Sequence, residues 1–358
     1  MIIIAGTSSP GGISQVIKGY ARDGVFDKWD ILWVKTHVAG GLVRRAFAAL
    51  HGFCSVIFWM LSGKVQLVHT HAAMRGSFWR KSILIVLARI FHVPAVVHLH
   101  GSEMKDFYSK KSRLGRAFIR STLESADRVV VLSAGWHQFV REIAPGARIS
   151  IIPNYSPAMP SATNQNLTAK QNNNFIFLFM GALTDRKGIY ELIPAFAKLS
   201  SEFPDVELWI GGSGETDRVL ATIAEYQLSR VRLLGWVDVA ERNRLLTLAD
   251  AFVLPSKNEN LPLAIIEAMA ASLPIITTHV GGIPEMLNDN EDAILVMPGR
   301  VDLLHAALKA VRVDKGRATL MAANALNRYR REFSPETCLP KIDELYKEIL
   351  KINRQSNS

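Results

Sequence analysis

Apolar runs of four to six residues recur along the chain, and longer amphipathic stretches separate them. The runs at 2–5, 30–34, 67–70, 95–99, 128–132 and 149–152 read as short buried strands. The segments between them are long enough for crossover helices, the connection that parallel neighbours require. The rhythm resumes at 175–180, 207–210, 231–234, 251–254, 274–277 and 293–296. Between the two series, 157–174 is polar, rich in Asn and nearly free of large apolar side chains, which predicts a linker. The pattern predicts an α/β protein of two doubly wound, Rossmann-like domains, 1–156 and 175–334, facing a central cleft. A last amphipathic helix is expected over 335–352, able to pack back on the first domain, with 354–358 frayed.

Composition agrees with a large core and two domains: 358 residues, 49% apolar and 21% charged. Cys54 and Cys338 stand far apart with no metal-ligand or CxxC spacing, which predicts reduced thiols and a cytoplasmic setting. The first residues read directly as a strand, without a basic leader or cleavage site. Charge is unevenly shared. Residues 1–155 hold 20 Lys and Arg against 8 Asp and Glu, a net of +12, while the remainder holds 22 against 24, a net of −2. A basic first half suits nucleic acid, an anionic membrane face or a phosphorylated substrate. No zinc-finger, aromatic RNP or helix-turn-helix pattern is present, which argues against nucleic acid. The uncharged segment 46–61, preceded by Arg44 and Arg45, is short for a membrane-spanning helix. It reads either as a helix packed between strands or as one lying in the membrane interface. The cations Lys105, Lys110, Lys111, Arg113, Arg116 and Arg120 favour the second reading.

Candidate chemistry gathers where strands end. Glu259 and Glu267 stand eight positions apart around Pro262, which suits the first turn of a helix. Glu259 then lies just before a helix N-terminus, where backbone N–H groups attract phosphate and a carboxylate accepts hydroxyls. The competing reading is an acid that merely complements the helix dipole. The stretch 181–188 follows the first strand of the second domain and carries Arg186 and Lys187, a planar fork and a compact cation suited to phosphate, or else a solvated surface pair. Gly11-Gly12 opens a helix after the first strand and suits either a plain turn or a phosphate contact. Gly211-Gly212 and Gly281-Gly282 mark similar switches. His98 and His100 share one strand face, so a metal pair is conceivable, but a third ligand at sensible spacing is missing. His100 is the better site candidate, and the repeat at His69 and His71 reads as structural.

Together these motifs resemble the family-four glycosyltransferases, retaining enzymes with the two-domain glycosyltransferase-B fold. The likeness spans nearly the whole chain and is strongest over 175–290. Glu259…Glu267 looks like the family's Glu-x7-Glu motif, 181–188 like its diphosphate loop, and 281–285 like its Gly-Gly-x-Pro-Glu turn. His100-Gly-Ser-Glu103 and Ile152-Pro-Asn154 fall in the family's order. The resemblance implies that Arg186 and Lys187 hold the diphosphate of a nucleotide sugar and that Glu267 binds its ribose. It implies that Glu259 orients the donor sugar and that His100 contacts it from the other domain. Gly11, Gly12, Gly212, Val237, Asn260, Leu261, Pro262 and Leu263 complete the implied donor site. Two positions depart from the family: Ala182 stands where arginine is common, and Asn260 where glycine is. No Asp-x-Asp set ends a strand, so the expectation is metal-free hexosyl transfer, with the nucleotide-diphosphate sugar as co-substrate and no cofactor. The expected acceptor is a lipid-linked glycan or oligosaccharide of bacterial surface polysaccharide synthesis, at the cytoplasmic membrane's inner face. Competing classes are a nucleotide-sugar epimerase of the same fold and a non-catalytic subunit of a polysaccharide assembly complex.

Overall fold

Ile2, Ile3, Ile4 and Ala5 are all buried, because a parallel strand covered by helices on both faces has no solvent side and needs a continuous apolar run. They form β1 (Ile2–Thr7) in a computed structural model of the chain, which describes residues 1–9, 11–159 and 174–356. The chain divides into two compact units, Met1–Tyr155 with Pro335–Ser358, and Ser156–Ser334. Most of the expected linker, 160–173, lies outside the described residues.

The first unit continues through α1 (Gly12–Arg22), α2 (Val25–Trp29), β2 (Ile31–His37), α3 (Leu42–Leu61), β3 (Leu67–Ala72) and α4 (Gly76–Ile90). Then follow β4 (Ala95–Leu99), α5 (Met104–Ser109), α6 (Arg113–Ser125), β5 (Arg128–Val131), α7 (Ala134–Ile143) and β6 (Ile149–Ile151). Its sheet is parallel in the order β2-β1-β3-β4-β5-β6. The order reverses beside β1, and at such a reversal the loops leaving neighbouring strands part and open a crevice at their carboxyl ends.

The second unit repeats the plan. It runs through β7 (Phe175–Met180), a 3-10 turn (Asp185–Lys187), α8 (Ile189–Glu202), β8 (Val206–Gly211), α9 (Thr216–Glu225), β9 (Val231–Gly235) and α10 (Val239–Leu248). It continues through β10 (Ala251–Leu254), α11 (Leu263–Ala270), β11 (Ile275–Thr278), α12 (Ile283–Met286), β12 (Ile294–Val296), α13 (Val301–Val313) and α14 (Lys315–Glu332). The strand order is β12-β11-β10-β7-β8-β9, reversing between β7 and β10. Phe177, Phe179 and Phe252 are fully buried in its core, each stabilising the fold by roughly 1.5–3 kcal/mol relative to exposure. All twelve expected strands are present, most shifted at their ends by a residue or two.

The last helix, α15 (Pro335–Ser356), belongs to the first unit and runs four residues past the expected end, through much of the segment expected to fray. Its Asp343 accepts from Trp29 Nε1 at 2.7 Å and pairs with Lys28, and Glu348 pairs with Arg128 at 3.0 Å. Tyr346 is fully buried, its hydroxyl 2.6 Å from His69 Nδ1.

The segment 46–61 corrects the reading of a helix packed between strands. It forms most of α3, which buries only Gly52, Val56 and Met60 and rests that stripe on β2. Phe47 and Phe58 remain 69% and 63% exposed. Apolar composition alone does not reveal how little of a helix its neighbours cover. By length and composition α3 could cross a bilayer.

Four imidazoles line adjoining strands of the first unit. His71 stands opposite His98 in the β3–β4 register, ring centroids 4.9 Å apart, and alternation along each strand brings rings on one face to 4.5 Å for His69–His71 and 4.2 Å for His98–His100. Burial pulls His69 and His100 down to about 3, and holds His71 and His98 well below the usual imidazole range, with neighbouring imidazoles adding to the effect at His69, His71 and His98. The folded rings therefore stay neutral where the unfolded chain, with imidazoles titrating near 6.5, takes up protons. Between those values the unfolded state binds more protons, so stability falls as pH falls. Urea unfolding of the full chain at about pH 7 and about pH 4.5 should show this loss, and His98→Phe should lessen it. A midpoint independent of pH in this window would show that the rings protonate in the folded state.

Candidate active site

The reversal between β7 and β10 brings the loops that follow these strands side by side. The β7 loop enters the 3-10 turn bearing Arg186 and Lys187; the β10 loop carries Ser256, Lys257 and Glu259. Lys187 Nζ forms an ion pair with Glu259, and the same carboxylate accepts from Ser256 Oγ at 2.7 Å. Arg186 donates to the Asn258 carbonyl at 2.9 Å and stands 3.9 Å from Glu259. Lys257 closes the outer side, its Nζ 2.7 Å from both Asp185 and Glu191. Glu259 is buried and the Lys187 side chain is only 14% exposed, whereas Arg186 stands partly open to solvent. A buried ion pair returns little net stability after desolvation. The pair lies at the carboxyl ends of β7 and β10, the side of an open α/β sheet where ligands generally bind.

Two glycines set how closely these loops approach. Gly188 has φ +72°, and a Cβ there would stand 1.9 Å from the Pro255 carbonyl oxygen. Gly281, after β11, has φ +56°, and a Cβ there would stand 1.7 Å from the Glu259 carbonyl oxygen. Any larger residue would push the cationic turn or the acidic loop away.

Glu267 lies within α11 and is buried in an ion pair with Arg242 of α10. Sequence reasoning missed Arg242 and Ser256. The available signal for Arg242 was Asp238, which caps α10 by accepting from Glu241 N at 2.9 Å and so sets the helix phase. Pro262 is the cap of α11 rather than part of its first turn, with ψ 122°, and the helix starts at Leu263. Asn260, Leu261 and Pro262 are buried and Leu263 is half-buried. At the neighbouring strand ends, Gly212 N donates to the Gly235 carbonyl at 2.7 Å, and Val237 packs over Gly211.

The remaining candidates sit in the first unit. Gly11 and Gly12 are exposed at the start of α1, while Pro10 lies outside the described residues. His100 follows β4, its Nε2 2.9 Å from His71 Nδ1, and Glu103 pairs with Arg75 at 3.3 Å. Here a second expectation is corrected. His69, His71 and His98 bring ring nitrogens within 4.8 Å of one another, because strand register supplies the third imidazole that spacing along one strand could not. All three are buried, which suits a closed structural site rather than one keeping a coordination position open for substrate.

Residues 161–328 match the family described as glycosyl transferases group 1, and residues 16–155 match a glycosyl transferase 4-like domain. The chain belongs to the family-four glycosyltransferases. Relatives include the UDP-Gal:alpha-D-GlcNAc-diphosphoundecaprenol alpha-1,3-galactosyltransferase of Escherichia coli, 28% identical over 79% of this chain and 75% of that one. Glycogen synthase of Mycobacterium tuberculosis is 29% identical over 73% of this chain, which spans 65% of that enzyme's length. The glycosyltransferase-B fold is shared with sucrose-phosphate synthase from Thermosynechococcus elongatus, at TM-score 0.83 and 20% identity over 98% of this chain and all of that one. Anabaena HepE in complex with UDP-glucose superposes at TM-score 0.77 and 19% identity over 97% and 100%.

The loop contact in this glycosyltransferase yields a direct test. Gly188→Ala forces a left-handed backbone on a residue with a Cβ, costing about 1–3 kcal/mol before the contact with Pro255 is counted. The denaturant midpoint should fall accordingly. An unchanged midpoint would mean that the β7 and β10 loops separate at little cost.

Proposed function

We propose that the chain transfers a hexose from a nucleotide-diphosphate sugar to a phosphate-bearing, lipid-linked glycan, with retention of anomeric configuration and without a metal. The observation that carries the reading is the convergence of Arg186, Lys187 and Glu259 at the carboxyl ends of β7 and β10. Breaking the bond between the anomeric carbon and the diphosphate oxygen leaves positive charge on the sugar and negative charge on the departing diphosphate. Arg186 and Lys187, aided by the α11 N-terminus, stabilise that leaving group, and such groups act strongly because they are already oriented. Glu259 holds Lys187 in place and accepts from a donor-sugar hydroxyl, while Glu267, steadied by Arg242, accepts from the ribose. The acceptor hydroxyl attacks on the face the diphosphate leaves, and its proton passes to a diphosphate oxygen. The galactosyltransferase relative supports the acceptor class, since its name specifies a diphosphoundecaprenol-linked sugar.

Removing one oriented cation typically costs about 10²–10³ in rate. Lys187→Ala should lower turnover on that order, with the fold intact and with wild-type activity preserved in EDTA. Unchanged turnover in a folded variant would refute the assignment, and loss of activity in EDTA would refute metal-free transfer.

Attachment to an anionic membrane is the second part of the reading. The helices α3, α4 and α6 adjoin one another in that order. They expose Phe47, Phe58, Ile83, Ile90, Leu114 and Phe118. Arg44, Arg45, Arg89, Lys110, Lys111 and Arg113 lie on or beside the same helices and form no ion pair with a carboxylate among the described residues. Apolar side chains enter the headgroup region while each cation gains about 1 kcal/mol near anionic lipid. Sedimentation with phosphatidylglycerol vesicles should decline with added salt and when Lys110, Lys111, Arg113 and Arg116 are neutralised. Binding indifferent to both would remove the membrane from the account.

A further inference from the structure

Lys81 of α4 is 3% exposed, and the chain from 31 to 102 contains no Asp or Glu. Its ammonium donates to Thr36 Oγ1, and that hydroxyl donates onward to the Gly6 carbonyl at 3.2 Å. The neighbouring Arg80 is half-buried, and its Nε is buried without a hydrogen-bond partner. Neither these two nor Arg45 of α3 forms an ion pair with a carboxylate among the described residues. Beside them the carboxyl ends of β1 and β2 present hydroxyls and an imidazole: His37 Nδ1 lies 3.1 Å from Ser9 Oγ and 3.3 Å from Thr7 Oγ1. The three cations crowd this corner closely enough that, after burial, Arg80, Arg45 and Lys81 each lower the His37 pKa.

Burying a cation without a counter-charge is unfavourable unless something else compensates it. The cluster lies beside the sheet reversal at β1, the place in an open α/β sheet where ligands bind. We propose that Lys81, Arg80 and Arg45, with His37, Thr7 and Ser9, form an anion site that takes a phosphate group of the acceptor. This rests on the transferase reading above, in which the donor diphosphate is held by Arg186 and Lys187, so that a separate cationic site in the first unit serves the other substrate. Charge-assisted hydrogen bonds from a guanidinium and an ammonium are strong toward phosphoryl oxygens, and the hydroxyls of Thr7 and Ser9 can donate as well. Burial and Arg80 together bring Lys81 down to about 7, and a bound anion would hold it protonated.

The test is calorimetric titration of the full chain with inorganic pyrophosphate in the presence of saturating UDP, so that the site at Arg186 and Lys187 is already filled. Lys81→Met keeps the buried stem and removes the charge; Arg45→Gln changes an exposed residue and leaves the core untouched. Each should weaken pyrophosphate binding at least tenfold and leave UDP affinity unchanged, while Lys187→Ala should do the reverse. Weakened UDP binding in the Lys81 or Arg45 variant would assign the site to the donor and overturn the acceptor assignment. Unaltered pyrophosphate binding in a folded Arg45→Gln variant and in Lys81→Met would overturn the anion site itself. If pyrophosphate binds and responds to these substitutions while UDP does not bind, the anion site stands and uridine is excluded as the base of the donor.

Discussion

The ion pair between Lys187 and Glu259 is the constraint around which the second unit's site is arranged. It ties the loop after the first strand of that sheet to the loop after its fourth, across the point where strand order reverses. Everything nearby serves that closeness: glycine where the backbones touch, Ser256 donating to the same carboxylate oxygen as Lys187, and Lys257 bridging to Asp185 and Glu191. The pair also leaves one cation in surplus. Arg186 keeps a more open side chain than Lys187, which the carboxylate holds in register.

Much of this was legible in the sequence because parallel strands announce themselves. A strand buried on both faces must be apolar throughout, and runs such as 175–180 and 251–254 have no other easy reading. That Arg186, Lys187 and Glu259 come together was legible for a related reason: all three lie in loops that follow strands, a position that spacing reveals. What spacing cannot show is the choice of partner. Arg242 meets a carboxylate 25 positions later in the chain, and His71 meets His98 through strand register. Segment 46–61 shows the same limit from another side: a run without charge declares that it avoids water but not what covers it.

The two units solve opposite electrostatic problems. In the second, buried charges come in opposing pairs, Lys187 with Glu259 and Arg242 with Glu267, and residues 156–334 are close to neutral. In the first, the buried ammonium of Lys81 donates to a hydroxyl and pairs with no carboxylate among the described residues, and the imidazoles are kept neutral by burial. The first unit also exposes apolar rings and cations on its adjoining helices α3, α4 and α6.

The placement of the final helix has a consequence for how the molecule is made. Tyr346 and Asp343 complete the packing around Trp29 and His69, yet they emerge from the ribosome after the strands of both sheets. Residues 156–334, by contrast, are contiguous and hold all the strands of their sheet. The usual order, in which the N-terminal domain folds first during translation, is thereby inverted: the second unit can close while the first still waits for α15, leaving Trp29 and His69 without their packing partners until that helix is made.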